Sequence, residues 1–469
     1  MLVTYVAKEF DKIMKPFKDV FACDSITMNL TNNCNLNCIY CFEHNKQPEM
    51  MSVENAIKIV DESYRYINPK EHGSYFMINF FGGEPFLNWN TMKAVIDHCN
   101  EKKYRVSYGV TTNLTILNDE IIQYVDDNEL HLLVSADGLK AVHDKNRSNS
   151  FDTVIRNLQR LIDAELQILV EIRMTILPED IEYALDGIKM FMNMGFDNIC
   201  PIPVTDVDWS DDDCKKLERF YEDLMQYYVE LLNTKGTRNF AIKNTDEILL
   251  NVLEPEVHIP YMCPIGRNTW AAFDVNGDVY PCHQLPTSKP AYKIPQRIGN
   301  IWTGIDETKI ITERKPAAYS KPECENCIGK AVCASGCPEE NLRKTGDESI
   351  PFDGYCKTQI AMVKAVKKYQ TQILNAKNIR NRTLNVLKEN LKIKQYIDEK
   401  IINPEHMTKL EFSAKLMHVR EMVDILDKNI LPSFYEYFTN RIIEASAKYF
   451  DANDIHTLYL GKVDDINGR

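Results

Sequence analysis

The sequence predicts an α/β fold: a partial (β/α)6 TIM-like barrel over residues 26–235, then a small cysteine-rich domain and an all-α extension. Three observations carry this. From residue 26, strand-like and helix-like stretches alternate through six units in about 180 residues, the rhythm of a parallel sheet with crossover helices, open or closed into a partial barrel. Residues 263–356 are short segments rich in Gly, Pro and Cys. Beyond Cys356 the chain has no cysteine and almost no glycine. Its apolar residues recur there at helical spacing, as in FSAKLMHVREMVDIL (412–426), which predicts a bundle of about four or five helices over 357–469.

Residues 1–25 form an N-terminal segment, and ITMNLT (26–31) is the first strand. SVENAIKIVDESYRYI (52–67) has apolar residues at helical spacing, with Ser52 as its N-cap. YFMINFF (75–81) reads as a buried strand and WNTMKAVIDHCNEK (89–102) as a helix. YRVSYGVTT (104–112) and LHLLVSA (130–136) are the third and fourth strands, with a short helix between them. FDTVIRNLQRLIDA (151–164) is amphipathic, and QILVEIRMTI (167–176) is the fifth strand. PEDIEYALDGIKMFMNM (178–194) is a helix that starts on Pro178, and DNICPIPV (197–204) is the sixth strand. A long helix follows over 208–234, then an irregular linker over 236–262.

A chain of 469 residues is long enough for two or three domains. Its 44% hydrophobic and 26% charged content is ordinary for a globular protein. No apolar run approaches the ~18 residues of a membrane helix, so no membrane association is expected. MLVTYVAKEFDK lacks a basic stretch before an apolar core, so no secretory signal is expected and the cytoplasm is the expected compartment. The net charge of −13 argues against nucleic-acid binding. That charge is uneven: residues 357–469 carry 19 Lys and Arg against 14 Asp and Glu, a net of +5. A solvated helical face accounts for this, and so does an acidic partner.

Fourteen cysteines in a cytoplasmic chain point to metal or redox chemistry rather than disulfides. Cys23, Cys99, Cys200 and Cys214 are scattered and read as small hydrophobes; the other ten are patterned. TNNCNLNCIYCFEHN (31–45) places Cys34, Cys38 and Cys41 in one loop directly after the first strand. A [4Fe–4S] cube has four irons, each wanting one ligand, so three cysteines leave one iron open. Structural zinc is the alternative, but zinc motifs usually pair their cysteines as CxxC twice.

CNLNCIYC resembles the signature of radical S-adenosylmethionine (SAM) enzymes. The resemblance implies that the open iron binds SAM, and that one-electron reduction releases a 5′-deoxyadenosyl radical that takes a hydrogen atom from the substrate. Gly82-Gly83-Glu84-Pro85 after the second strand looks like the family's GGE motif, with Glu84 an acceptor for the SAM ammonium. Thr111, Thr112 and Asn113 end the third strand; Ser135-Ala136-Asp137-Gly138 end the fourth, where the family places a serine near the SAM carboxylate or ribose. HDKNR (143–147) follows, and Arg147 pairs with a carboxylate or anchors the loop. Arg173 lies within the fifth strand. All but Arg173 sit at C-terminal strand ends, where α/β barrels and parallel sheets place their sites. The expected catalytic residues are Cys34, Cys38 and Cys41. The expected cofactor-binding set is Tyr40, Gly82, Gly83, Glu84, Thr112, Asn113, Ser135 and Arg147.

Cys263, Cys282, the Cx2Cx5Cx3C run Cys324, Cys327, Cys333 and Cys337, and then Cys356 resemble the SPASM domain of peptide-modifying radical SAM enzymes. That likeness implies two auxiliary [4Fe–4S] clusters, three in all. Cys324, Cys327, Cys333 and Cys356 would ligate the outer one, and Cys263, Cys282 and Cys337 the inner. Thr269 stands about where some relatives supply a fourth inner cysteine. The implied function is radical modification of a precursor peptide, with a thioether crosslink to a cysteine as the expected product. The implied electron donor is a flavodoxin or ferredoxin, and the work is anaerobic. Sulfatase maturation is the alternative. There an aspartate base follows the cysteine that corresponds to Cys282, whereas this chain has His283. A non-catalytic iron–sulfur electron carrier is the alternative from another class. About 25 residues precede the first strand, too few for a leader-binding winged helix. The helical extension is therefore the expected site for an acidic leader, or else a packing or dimer surface.

Overall fold

A computed structural model describes residues 25–43, 46–65, 76–234, 240–253, 270–285, 297–305, 321–376 save 331 and 334, 393–402, 407–408, and scattered positions between 411 and 445. Six parallel strands form the centre: β1 (Ser25–Thr31), β2 (Phe76–Gly82), β3 (Val106–Thr112), β4 (His131–Ser135), β5 (Val170–Ile176) and β6 (Asn198–Pro203). Helices α1 (Val53–Arg65), α2 (Trp89–Lys102), α3 (Asp119–Asp127), α4 (Lys140–Asn146), α5 (Phe151–Asp163) and α6 (Ile181–Met194) lie in the connections, and α7 (Asp211–Thr234) follows β6. The six strands expected from sequence are all present. Period-two burial aims them: in β5, Val170, Ile172, Met174 and Ile176 enter the helix-covered core, while Glu171, Arg173 and Thr175 turn to the other face. The Ser52 hydroxyl accepts the Asn55 N–H at 3.1 Å, the expected N-cap of α1.

The irregular linker expected over 236–262 is in part regular. β7 (Ala241–Ile242) pairs with β6, and α8 (Lys243–Leu253) follows it. Phe240, Ile242, Ile248 and Leu249 are buried, and the Asp246 carboxylate accepts both the Ile242 N–H, at 3.1 Å, and the Tyr228 hydroxyl. These tertiary contacts fix a segment whose two-residue strand has no period to read.

The cysteine-rich segment joins the barrel's own sheet. β8 (Trp270–Phe273) runs parallel to β1, with Ser25 opposite Trp270 and Met28 opposite Phe273. β9 (Asp278–Tyr280), β10 (Gly299–Asn300) and β11 (Gly304–Ile305) continue it antiparallel. The result is one sheet of order β11-β10-β9-β8-β1-β2-β3-β4-β5-β6-β7, open between β11 and β7 among the described residues. Two further helices follow, α9 (Pro338–Thr345) and α10 (Asp353–Leu374), and Ile393, Ile397 and Ile401 farther along the chain join the same core.

The boundary drawn at 356/357 falls inside α10, which carries Cys356 in its first turn. This helix packs along α7 and α8. Met362, Val363, Val366 and Ile373 are buried there, Gln226 donates to the Tyr369 hydroxyl at 3.0 Å, and Lys368 meets Glu222 at 2.8 Å. The first part of the expected extension is thus core of the barrel unit. Most of its remainder lies outside the described residues, as do residues 1–24. Among the described residues no helix is long and apolar enough to cross a membrane.

Candidate active site

Cys34, Cys38 and Cys41 occupy the loop that leaves β1, each half-buried. The Cys41 N–H donates to the Cys38 carbonyl at 3.2 Å, closing a turn that keeps these two thiols together. Donors point at the sulfurs: the Leu36 N–H at 3.4 Å and the Asn113 amide at 3.8 Å on Cys34, and an Arg147 guanidinium N–H at 3.8 Å on Cys38. Burial pushes the Cys34 and Cys41 thiols up, and the charge of Cys38 adds to both shifts. Among the described residues no three His, Cys, Asp or Glu side chains close on a single ion. A cubane asks for something different, one thiolate on each of three irons and donors to the sulfurs. Soft, partly buried thiols, two of which already receive N–H donors, fit that requirement.

The two glycines after β2 let that loop pass. A Cβ on Gly82, whose φ is 123°, would stand 2.3 Å from the Thr31 carbonyl oxygen, and one on Gly83 2.1 Å from that of Asn33. The gap is filled by backbone hydrogen bonds instead, Gly83 N–H to Thr31 O and Glu84 N–H to Asn33 O, both 2.9 Å. What the glycines approach closely is therefore the cysteine loop itself. Gly83→Ala should cost about 1–3 kcal/mol in chemical denaturation and lower iron uptake on reconstitution; unchanged values of both would contradict this packing.

Glu84 is fully buried. Its Oε1 accepts the Thr112 hydroxyl at 2.8 Å and the Phe86 N–H at 3.1 Å, and its Oε2 accepts the Asn113 N–H at 2.7 Å. Burial pushes the carboxyl up to about 7, against those three donors, which lower it. A carboxylate has about four lone-pair sites, so one remains for a further donor. Thr112 and Asn113 thus serve Glu84, and the Asn113 side chain also ties down Cys34 and Asn35.

Asp137 was visible in the sequence only as part of a motif. In the structure it is the hub of the site, 4% exposed. It meets Arg147 Nε at 3.0 Å, accepts the Tyr40 hydroxyl, and accepts the Thr175 N–H at 3.0 Å. The Arg147 guanidinium also lies over the Tyr40 ring, 5.2 Å from its centroid. Burial alone would lower the Arg147 pKa; Asp137, Tyr40 and Cys38 outweigh it and leave it raised. Arg147 and Tyr40 therefore brace the cysteine loop through Asp137. Ser135 stands opposite Arg173 across β4 and β5.

His143 supports this hub. It is fully buried; its Nδ1 accepts the Asp137 N–H at 3.3 Å and its Nε2 meets the Ser150 hydroxyl at 2.9 Å. Burial, then the nearby Arg147, holds its pKa down at about 4. The unfolded chain, with a histidine near 6.5, takes up this proton first. Stability from the neutral imidazole is complete above pH 6.5 and is lost as pH falls toward 4, by about 3 kcal/mol at most. Denaturation curves between pH 6.5 and 4 should be flatter for His143→Gln than for the parent. Parallel curves would contradict the assignment.

Cys324, Cys327, Cys333 and Cys356 line one cavity with apolar Val332 and Val363. Four thiols around one apolar hollow fit a fully ligated cluster. Cys282 and Cys337 meet at Gln284, whose N–H lies 3.5 Å from the Cys282 sulfur and whose Oε1 lies 4.0 Å from that of Cys337. Cys263 and Thr269 lie outside the described residues. His283 packs on Phe81 at 4.7 Å and on Phe42 at 6.1 Å, beside the first cysteine loop. Burial, then Arg173, holds its pKa down at about 4, so the imidazole is neutral near pH 7.

Residues 28–191 match the profile of the Radical SAM superfamily. The radical SAM cyclopropyl synthase TigE of Paramaledivibacter caminithermalis is 30% identical over 154 residues, 29% of this chain and 32% of that protein. A cysteine-type anaerobic sulfatase-maturating enzyme of Clostridium novyi is 24% identical over 335 residues, 66% of this chain and 85% of that one. The two curated relatives first matched are covered over only 39% and 32% of their own length. Among solved structures, native anSMEcpe with bound AdoMet and Cp18Cys peptide superposes with a TM-score of 0.59 at 18% identity, over 74% of this chain and 98% of that chain. Streptococcus suis SuiB bound to S-adenosylmethionine superposes with a TM-score of 0.53 at 14% identity, over 75% and 80%. Likenesses this remote in sequence concern the fold.

Proposed function

We propose, from the premise that residues 28–191 are a radical SAM domain, that the chain is a peptide-modifying radical SAM enzyme. The observation that carries this reading is the cysteine loop, with N–H donors on the Cys34 and Cys38 sulfurs and its backbone locked against Gly83 and Glu84. Cys34, Cys38 and Cys41 would hold a [4Fe–4S] cluster. When bound, the cluster and SAM together supply a carbon radical that removes a hydrogen atom from the substrate.

The chain's own residues do the rest. Glu84 keeps one acceptor site for an ammonium, and Thr112, Asn113 and Phe86 hold its carboxylate in place. Tyr40, Asp137 and Arg147 fix the Cys38 end of the loop. Ser135, opposite Arg173 on the neighbouring strand, would lie near the SAM carboxylate or ribose. The four-cysteine cavity and the Cys282–Cys337 pair would hold two auxiliary clusters, with Cys263 joining the second.

A peptide is the substrate class this reading favours. The anSMEcpe structure holds a Cp18Cys peptide, and SuiB is solved with its precursor peptide SuiA. For this chain the reaction is a thioether crosslink to a cysteine. A flavodoxin or ferredoxin would supply electrons, and an acidic leader would meet the basic C-terminal region. Formylglycine formation in a sulfatase is the second reading, favoured by the likeness to the Clostridium novyi enzyme. His283 stands where sulfatase maturases carry an aspartate base, and that departure favours the first reading.

Anaerobic reconstitution, reduction and addition of SAM test the enzyme reading. 5′-Deoxyadenosine should form; its absence would leave an electron carrier. Incubation with cysteine-containing peptides and with a sulfatase, read by mass spectrometry, separates the two reactions. A loss of two hydrogens with a blocked thiol supports the crosslink, and formylglycine overturns it. Cys324→Ala should spare SAM cleavage more than product formation. Equal loss of both would make the auxiliary region structural support alone.

A further inference from the structure

Each residue between Cys34 and Cys38 is tied to another part of the chain. The Asn35 side-chain amide donates to the Thr115 hydroxyl at 2.7 Å. The Leu36 carbonyl accepts Lys46 Nζ at 2.6 Å. The Asn37 N–H donates to the Ser148 hydroxyl at 2.9 Å, across 111 positions of sequence. Just past Cys38, the Ile39 N–H donates to the Asn146 carbonyl at 3.1 Å.

The Ser148 tie stands on strained backbone. Ser148 and Asn149, between α4 and α5, are consecutive left-handed residues with φ of 55° and 56°. Asparagine visits this region readily, but a serine there pays for its Cβ crowding the carbonyl that follows. Such backbone persists only where its surroundings impose it, and it gathers at functional sites. Asp144 imposes it here. Its carbonyl accepts the Asn149 N–H at 3.0 Å, and its carboxylate accepts the Phe151 N–H at 2.9 Å. Ser150 closes the turn from the other side, donating to the Arg147 carbonyl at 2.7 Å. A glycine at 148 would make the same turn without strain. What the serine adds is a hydroxyl, and that hydroxyl meets the cysteine loop.

We infer that Ser148 is a positioning residue for the first cysteine loop: its hydroxyl holds Asn37, and so the stretch joining Cys34 to Cys38, in the arrangement SAM binding requires. The inference rests on the proposed SAM-binding cluster. Arg147 and Tyr40 act at the Cys38 end of the loop, whereas Ser148 acts on the backbone between two ligands. The bond is open to water, so its loss should shift the loop's population by about twofold to tenfold.

The test uses the full chain and two variants. Ser148→Gly removes the hydroxyl and relieves the strain; Ser148→Asn tolerates the left-handed turn and keeps an acceptor oxygen. First, iodoacetamide labels the cluster-free chain, and mass spectrometry reads each cysteine. A half-buried thiol reacts through the opened loop. Ser148→Gly should therefore label about twofold to tenfold faster at Cys34 and Cys38, with Cys214 on α7 unchanged and the melting temperature kept or raised. Second, the reconstituted, reduced chain is titrated with SAM by electron paramagnetic resonance. Ser148→Gly should weaken SAM binding by a similar factor at unchanged iron content, and Ser148→Asn should restore both readouts. Unchanged labelling overturns the proposal. Faster labelling with unmoved SAM affinity also overturns it, since the turn is then structural support alone. Should Ser148→Gly melt lower than the parent, Ser148→Asn decides: failure to restore labelling and SAM affinity overturns the proposal. A parent whose signal ignores SAM instead defeats the radical SAM reading itself, and the proposal with it, whatever the labelling shows.

Discussion

Replacing Cys34, Cys38 and Cys41 together by alanine should abolish 5′-deoxyadenosine formation and remove about four irons per chain. On the proposed reading these three sulfurs are the ligands of the SAM-binding cluster, and the four-cysteine cavity and the Cys282–Cys337 pair serve other clusters. Far-UV circular dichroism should stay close to that of the parent, because the loop lies outside β1 and the sheet core is formed by other residues. SAM cleavage that survived the triple replacement would refute the site.

The second large effect is on stability. Asp137→Ala leaves Arg147 buried and without its carboxylate, and it strips the Tyr40 hydroxyl and the Thr175 N–H of their acceptor. Removing one partner of a buried ion pair costs about 3–5 kcal/mol, because an uncompensated charge remains. Urea denaturation should show a loss of that size. Asp137→Asn, which keeps an oxygen acceptor, should lose less. The Cys38 end of the loop should also loosen, lowering iron retention in Asp137→Ala beyond what a comparable destabilisation elsewhere causes. A loss below about 1 kcal/mol would mean that Arg147 is solvated and that Asp137 is no hub.

The strands were legible in the sequence because a parallel strand covered by helices reads as a compact apolar run bounded by turn residues, as FMINFFG does in β2. The cysteine loop and the glycines after β2 were legible for a different reason: their chemistry depends on residue type at short spacing. What sequence could not show depends on long-range pairing. Nothing local marks Trp270–Phe273 as a neighbour of β1, yet that register ties the cysteine-rich segment to the barrel. Ala241–Ile242 is too short to carry a period. Asp137 stood in SADG, but its importance follows from Tyr40 and Arg147, 97 residues before it and ten after it in the chain, arriving at one carboxylate. Glu84 was recognisable from its motif; that its three chain donors leave room for one more was not. The sequence pattern placed the helical boundary at the last cysteine, whereas Met362 and Val366 place it beyond α10 by packing on α7 and α8.

The central claim is that the polypeptide leaves one iron of its first cluster unligated for SAM. Electron paramagnetic resonance of the reduced, reconstituted chain, recorded with and without SAM, tests it most directly. The signal should change when SAM is added and should vanish in the triple alanine variant lacking the auxiliary ligands as well. A spectrum that SAM leaves untouched, or elemental analysis that finds zinc in place of iron, would contradict the account.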